Sequence, residues 1–277
     1  MIKKLIPLLS VLIFLLYSFV GCAIPEDNSA QNDDAEQGEN NSELPFDYES
    51  LVNDISAKAV LFNVKIISEH SPNSFFGFGT KEMSSGSGVI YRKEGEIYYA
   101  LTNDHVVSTD KDSSYKSEYF VYDAFGNKYT AALVARDESC DLAVVKFRGN
   151  TETELGTVKL ASNNAEEKTK IISLGNPGGQ FNSTTLGEIL GMQAVEPGEG
   201  DGKIYFPVVI HTAPLEHGSS GGALLNYDFE LVGVNYAMGN SEGASREFGL
   251  AIPIEKVLEF LRKADSGFEK NTEESLR

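Results

Sequence analysis

Apolar residues recur along most of the chain in short runs rich in β-branched and aromatic side chains, the pattern of half-buried or buried strands. The runs are Ala59–Ile67, Gly88–Tyr91, Ile97–Thr102, Tyr119–Tyr122, Tyr129–Val134, Leu142–Phe147, Ile171–Leu174, Thr185–Leu190, Ile204–Ile210, Gly222–Leu225, Leu231–Tyr236 and Phe248–Ala251. Turn-forming stretches such as Phe125-Gly-Asn, Asn176-Pro-Gly-Gly179 and Glu199-Gly-Asp-Gly202 separate them. This spacing predicts an all-β barrel or sandwich. Helical spacing shows at two places. Tyr48, Leu51 and Ile55 form a short stripe, and Ile254, Val257, Leu258 and Leu261 form another between Pro253 and about Lys263, with Gly267 near its end.

The start of the chain follows a different rule. After Lys3 and Lys4, Leu5–Val20 is a nearly unbroken apolar run of sixteen residues, too short for a comfortable span and placed like a signal-peptide core. It stops at Phe19-Val20-Gly21-Cys22, which resembles a bacterial lipoprotein processing site, although Phe19 stands where an aliphatic residue is usual. The resemblance implies removal of 1–21 and diacylation of Cys22, which would hold the protein at a membrane surface. Residues 26–50 carry nine Asp and Glu and no Lys or Arg. With so few apolar residues, 22–45 reads as a disordered acidic tether, leaving a folded body over 46–264 and a polar tail over 265–277.

Charge and cysteine content narrow the function. The chain has 277 residues, 41 acidic and 23 basic side chains, a formal charge of -18 and two cysteines. A nucleic-acid binder needs a cationic face that is absent here, and two cysteines do not make a disulfide scaffold. With Cys22 lipidated, Cys140 has no partner. No pattern calls for a cofactor. Residue types alone would allow zinc on His211, His217 and Glu216, but their spacing matches no metal site, so no metal is expected.

Three segments carry chemistry: Leu101-Thr-Asn-Asp-His105-Val-Val, Ser139-Cys-Asp141-Leu-Ala-Val-Val-Lys, and Glu216-His-Gly218-Ser-Ser220-Gly-Gly-Ala-Leu. Together they resemble the chymotrypsin-fold serine proteases, specifically the Deg/HtrA-like branch, with histidine, aspartate and serine in chymotrypsin order. Gly86-Ser-Gly88-Val-Ile, Leu174-Gly-Asn-Pro-Gly-Gly179, Gly233-Val-Asn-Tyr-Ala and Phe248-Gly-Leu-Ala-Ile-Pro253 extend the likeness over roughly 57–260. The resemblance implies two six-stranded antiparallel β-barrels, near 57–150 and 155–252, followed by a C-terminal helix over 253–264. It also implies a catalytic triad of His105, Asp141 and Ser220.

The chemistry requires such a set. A serine hydroxyl is a weak nucleophile at neutral pH and needs a neutral imidazole to take its proton, and that imidazole needs a third group to fix its tautomer. The oxyanion then needs donors, expected in the Gly218-Ser219-Ser220 turn from the Gly218 and Ser220 N–H groups. The likeness puts Pro214 at the base of the first specificity pocket, where no acid stands, with Asn235, Tyr236 and Ala237 on one wall and Thr212 to Leu215 on another. Small or medium apolar side chains are therefore favoured over Arg or Lys. Substrate polypeptide should add as a strand along 233–237.

Departures from the family pattern are Ser219, where that branch has asparagine, and Glu216-His217 just before the oxyanion turn. They keep open a rival reading as a catalytically silent peptide-binding or chaperone module. Only a short polar stretch follows the predicted helix, so no PDZ module is expected. Relatives form trimers through the segment before the first barrel, but residues 46–60 do not establish one here. The leading expectation is an extracytoplasmic, lipid-anchored serine endopeptidase acting on exported or misfolded polypeptides.

Overall fold

The computed structural model describes residues 47–73, 80–109, 115–150, 153–194, 204–240 and 247–275. The apolar run Leu5–Val20, Cys22, the acidic tether and the turn at 199–202 lie outside the described residues.

Asp47 caps the first helix by accepting from Ser50 N at 3.0 Å, and α1 (Tyr48–Ala57) then buries Leu51 and Ile55 on one side. The next apolar residues differ from the strand expected at 59–67: Ala59–Phe62 is a 3-10 turn, and the strand starts at Asn63. A short buried apolar run fits either state, and here Ala59, Val60 and Phe62 all find the core from a helical turn.

Six strands follow: β1 (Asn63–Pro72), β2 (Glu82–Glu94), β3 (Ile97–Thr102), β4 (Tyr115–Tyr122), β5 (Lys128–Asp137) and β6 (Leu142–Arg148). They pair antiparallel in the order β1-β2-β3-β6-β5-β4, and β1 closes the barrel on β4, from Lys65 opposite Tyr122 to Pro72 opposite Tyr115. Closure removes the unpaired edges that an open sheet would expose. The β4–β5 turn is built by Asp123, whose Oδ1 accepts from the Phe125 and Asn127 amides at 2.9 Å each, while Gly126 supplies a φ of 81°. A one-turn helix, α2 (Asp104–Val107), follows β3 directly.

The second barrel comprises β8 (Lys170–Gly175), β9 (Ser183–Ala194), β10 (Pro207–His211), β11 (Ala223–Asn226), β12 (Glu230–Asn240) and β13 (Glu247–Pro253). Its order is β11-β8-β9-β10-β13-β12, closed by the β11–β12 pairing, with the short β7 (Lys159–Leu160) added parallel to β12. The fold is thus all-β with two closed six-stranded barrels, as the resemblance implied. The strand predicted from Ile204 starts only at Pro207, although Ile204 itself is buried.

The last helix, α3 (Ile254–Ser275), outlasts the apolar stripe that predicted it. Ile254, Val257, Phe260 and Leu261 are buried, so the stripe is packed as a core face. Beyond it, Asp265 Oδ1 meets Arg92 Nη1 of β2 at 2.8 Å, which ties a helix following the second barrel back onto the first. The helix expected over 253–264 thus continues to Ser275, into the segment expected as a polar tail.

Candidate active site

His105 stands on α2, the single turn into which β3 runs. Its neighbours hold that turn from three directions. Ser68 Oγ donates to the Val106 carbonyl at 2.6 Å. Asn103 Nδ2 donates to the Asp141 carbonyl at 2.8 Å. Asp104, nearly buried, receives a two-pronged contact from Arg136, Nε to Oδ1 at 2.6 Å and Nη2 to Oδ2 at 2.7 Å. Burial raises the Asp104 pKa above the usual carboxylate value, opposed by the Arg136 guanidinium.

Asp141 ends the β5–β6 turn with a φ of 50°, a left-handed conformation uncommon outside glycine. That backbone turns its carboxylate onto the histidine. Oδ2 lies 2.8 Å from His105 Nδ1, and Oδ1 accepts the His105 backbone N–H at 2.9 Å. Two contacts to one carboxylate fix ring position as well as tautomer, leaving Nε2 as the basic nitrogen. The Asp141 side chain is 4% exposed and that of His105 24%, so the pair faces solvent only through the imidazole.

Ser220 comes from the second barrel. The turn Glu216–Ser219 is closed by Ser219 N donating to Glu216 O at 2.9 Å, with Gly218 at a φ of 100°, the left-handed third position that a type II turn requires. Gly221, at a φ of 83°, is forced to be glycine by contact as well as conformation. A Cβ there would lie 2.2 Å from Ser87 O, 2.3 Å from Thr102 Oγ1 and 3.1 Å from Asn103 N. The serine turn is therefore pressed onto the segment that carries His105. At rest Ser220 Oγ donates to the Tyr236 carbonyl at 3.2 Å.

Within the Gly218-Ser219-Ser220 turn expected to hold the oxyanion, Ser219 N is used by the turn itself. Among the described residues, no backbone carbonyl accepts from Gly218 N or Ser220 N. Ser219 Oγ accepts from Glu216 N at 3.2 Å, so the side chain where asparagine was expected braces the turn.

A cavity of about 140 Å³ opens beside Ser220, lined by Leu215, Glu216, His217, Ser219, Tyr236, Ala237 and Met238. Tyr236 and Ala237, expected on a pocket wall, are among the residues lining this cavity. Pro214 does not line it; Pro214 is exposed and its carbonyl accepts from Thr185 Oγ1 at 2.9 Å. Asn235 does not line it either. It is fully buried, gives Nδ2 to Ser173 Oγ at 2.9 Å, and brackets the serine turn through its backbone, accepting from Gly221 N and donating to Gly222 O. Leu215, expected on the other wall, lines the cavity, whereas Met238, one residue beyond Ala237, was missed.

His211 and His217 have separate surroundings, one fully buried in β10 and the other exposed at the cavity rim. Burial pushes the His211 pKa down to about 4, so it is neutral at physiological pH. Among the described residues, no cluster of three or more His, Cys, Asp or Glu is placed to hold a metal ion.

The trypsin-like peptidase domain family matches residues 86–234. The chain is 33% identical to the serine protease Do-like HtrA of Bacillus subtilis (strain 168), over 75% of this chain and 46% of that protein. It is 32% identical to a probable periplasmic serine endoprotease DegP-like of Pseudomonas fulva (strain 12-X), over 64% of this chain and 34% of that protein. It thus spans less than half the length of these curated relatives. Among solved structures, an HtrA-type protease, AlgWS227A with decapeptide, superposes with a TM-score of 0.61 at 25% identity, covering 78% of this chain and 67% of that one. Matched by sequence over more than half its length and by a fold of two closed barrels, the chain belongs to the trypsin-like peptidase family.

Proposed function

We propose that this protein is a serine endopeptidase that cleaves polypeptide by an acyl-enzyme route, with Ser220 as nucleophile, His105 as general base and acid, and Asp141 as the group that orients it. The observation that carries the reading is the double contact of one buried carboxylate with both Nδ1 and the backbone N–H of His105, at 2.8 and 2.9 Å.

In this reading substrate displaces the Ser220 hydroxyl from the Tyr236 carbonyl, because an extended peptide brings its own N–H to that acceptor. The freed hydroxyl gives its proton to His105 Nε2 as Oγ bonds the scissile carbonyl carbon, and the carbonyl oxygen takes the negative charge. Gly218 N–H and Ser220 N–H receive that oxyanion. Imidazolium then returns the proton to the leaving amine as the C–N bond breaks. Water repeats the sequence, giving its proton to His105 and releasing the acid product and the Ser220 hydroxyl. Asp141 stays ionised and stabilises the imidazolium.

The cavity beside Ser220, with Leu215, Ala237 and Met238 on its walls, supports small to medium apolar side chains at the cleaved bond. We place the activity outside the cytoplasm, on exported or misfolded polypeptides, with Cys22 as the lipid anchor. That part rests on the signal-like run and on extracytoplasmic relatives such as the periplasmic DegP-like protein.

A second reading, a silent peptide-binding module, is favoured by the resting donation of Ser220 Oγ to Tyr236 O. A fluorescent serine-directed phosphonate and a casein panel separate the two. Labelling and cleavage that both vanish in Ser220→Ala support the peptidase, whereas peptide binding without labelling overturns it. Mass spectrometry of the mature N-terminus tests diacylation of Cys22.

A further inference from the structure

We infer that Ser87, a fully buried serine of the first barrel, is a positioning residue for the oxyanion donors of the second barrel; the inference rests on the peptidase reading and deepens it.

Every polar group of Ser87 is engaged. Its N–H donates to the Ser220 carbonyl at 2.7 Å. Its carbonyl accepts from Thr102 Oγ1 at 2.7 Å. Its Oγ accepts the Asn176 N–H at 2.7 Å and donates its one proton to the Gly218 carbonyl, also at 2.7 Å. Because Oγ has a single hydrogen and already accepts from Asn176, the direction of the bond to Gly218 is fixed.

The two carbonyls it holds belong to the two residues whose amides face the oxyanion. A trans peptide is planar, so holding the Gly218 carbonyl fixes the 218–219 plane and holding the Ser220 carbonyl fixes the 220–221 plane; these flank the 219–220 peptide that carries the Ser220 N–H, and the first also adjoins the 217–218 peptide that carries the Gly218 N–H. On the N-terminal side of Gly218, the His217 carbonyl accepts from Gly178 N at 3.0 Å, which directs the Gly218 N–H away from the 177–179 turn. On the C-terminal side, the Gly218 carbonyl is held by Ser87 and Ser219 N–H points back to Glu216. Both planes at Gly218 are thus fixed. Without Ser87 one of them depends only on a turn centred on glycine, the residue with the least resistance to rotation.

The anchor behind Ser87 is stiff. Asn176 gives Nδ2 to the Val64 carbonyl at 2.8 Å and to Asn63 Oδ1 at 3.3 Å, while its Oδ1 accepts from Asn63 Nδ2 at 3.2 Å and from Asn182 N at 3.1 Å. These three asparagines are nearly inaccessible and join β1 to the β8–β9 connection. Geometry at the oxyanion is thereby set by contacts from both barrels, and Ser87 is the point at which they converge.

The test uses Ser87→Ala, size-matched Ser87→Cys, whose thiol is a weak donor, and Ser87→Thr, which retains a hydroxyl. Each is assayed for peptide cleavage and for inhibition by a peptidyl boronate, which forms a tetrahedral adduct on Ser220. Ground-state affinity for an uncleaved peptide is measured in a Ser220→Ala background. Removing a whole oxyanion donor costs about 10²–10³ in kcat, so misaligning one should lower kcat by roughly 10–100-fold. Boronate affinity should fall in parallel, with KM and ground-state affinity changed less than about threefold, and with Ser87→Thr recovering toward wild type.

Should Ser87→Ala fail to fold, the cysteine variant carries the same expectation with side-chain volume kept. The inference is overturned if folded Ala or Cys variants keep wild-type kcat, or if boronate and ground-state peptide affinities fall together, as for a merely structural residue. A wild-type protein that neither cleaves peptide nor binds boronate overturns the peptidase reading itself, a result independent of any Ser87 variant.

Discussion

Replacing Arg136 with Gln leaves the buried Asp104 carboxylate, beside the histidine, without its cation. Asp104 has a side chain only 4% exposed, and Arg136 is its two-pronged partner, itself 42% exposed. Loss of one member of a fully buried pair costs about 3–5 kcal/mol, because a charge is left without compensation. Arg136 is partly solvated, and water can replace some of its contact, so the expected loss is about 1–3 kcal/mol at pH 7. The pH dependence has a definite sign. Burial already raises the Asp104 pKa and Arg136 opposes that rise, so the substitution raises it further. A carboxylate with a folded pKa above its unfolded value binds more protons in the native state, which makes stability increase as pH falls. The variant should therefore recover relative to wild type on acidification from pH 7, because protonated Asp104 no longer needs a cation. Urea unfolding of both proteins at pH 7 and at lower pH measures this, and comparison at equal pH cancels titrations common to both. Asp104→Asn combined with Arg136→Gln should cost less than the two single losses added. Equal losses at both pH values, or additive losses in the double variant, would refute the reasoning.

Three other substitutions or reactions test separate parts of the structure. Asp141→Asn keeps the shape but reverses the preferred tautomer of His105, and should lower kcat by roughly 10⁴-fold while leaving peptide affinity in place; steady-state kinetics beside binding measurements check it. Gly221→Ala adds a methyl group 2.2 Å from a backbone oxygen of the other barrel at a left-handed φ. It should lower the thermal midpoint and abolish phosphonate labelling, and an unchanged midpoint would mean that the barrels do not press together there. Cys140 is buried, and burial with Asp137 nearby pushes its thiol up to about 12. It should react slowly with iodoacetamide at pH 8 when folded and rapidly in denaturant; equal rates would place it at the surface.

Much of the architecture was legible because it is encoded locally. Strands such as β3 and β6 alternate or run apolar over a few residues, and the two longer helices, α1 and α3, show their stripes, so period alone finds them. The errors lie where local information is ambiguous. Ala59–Phe62 is apolar enough for either a strand or a helical turn, and it folds as a turn with Ala59, Val60 and Phe62 buried. The helix extends beyond Lys263 although its stripe does not. At the site, His105, Asp141 and Ser220 were named from short motifs, whereas Pro214 and Asn235 were given to a cavity they do not line. A residue's distance along the chain from Ser220 does not say which way its side chain turns in an irregular loop.

The sequence by itself determined the fold class, the order of the chemical residues and the glycines that the serine turn needs, because each rests on neighbouring residues or on a motif. Only the tertiary structure decided what surrounds them. Ser87 lies in a short Gly-Ser-Gly segment, 131 positions from the Gly218 carbonyl it holds, and Arg136 lies 32 positions from the carboxylate it balances. Such contacts depend on two closed barrels meeting in one register. Hydrophobic period and turn chemistry act over a few residues and carry no record of which distant peptide group will complete a buried hydrogen bond.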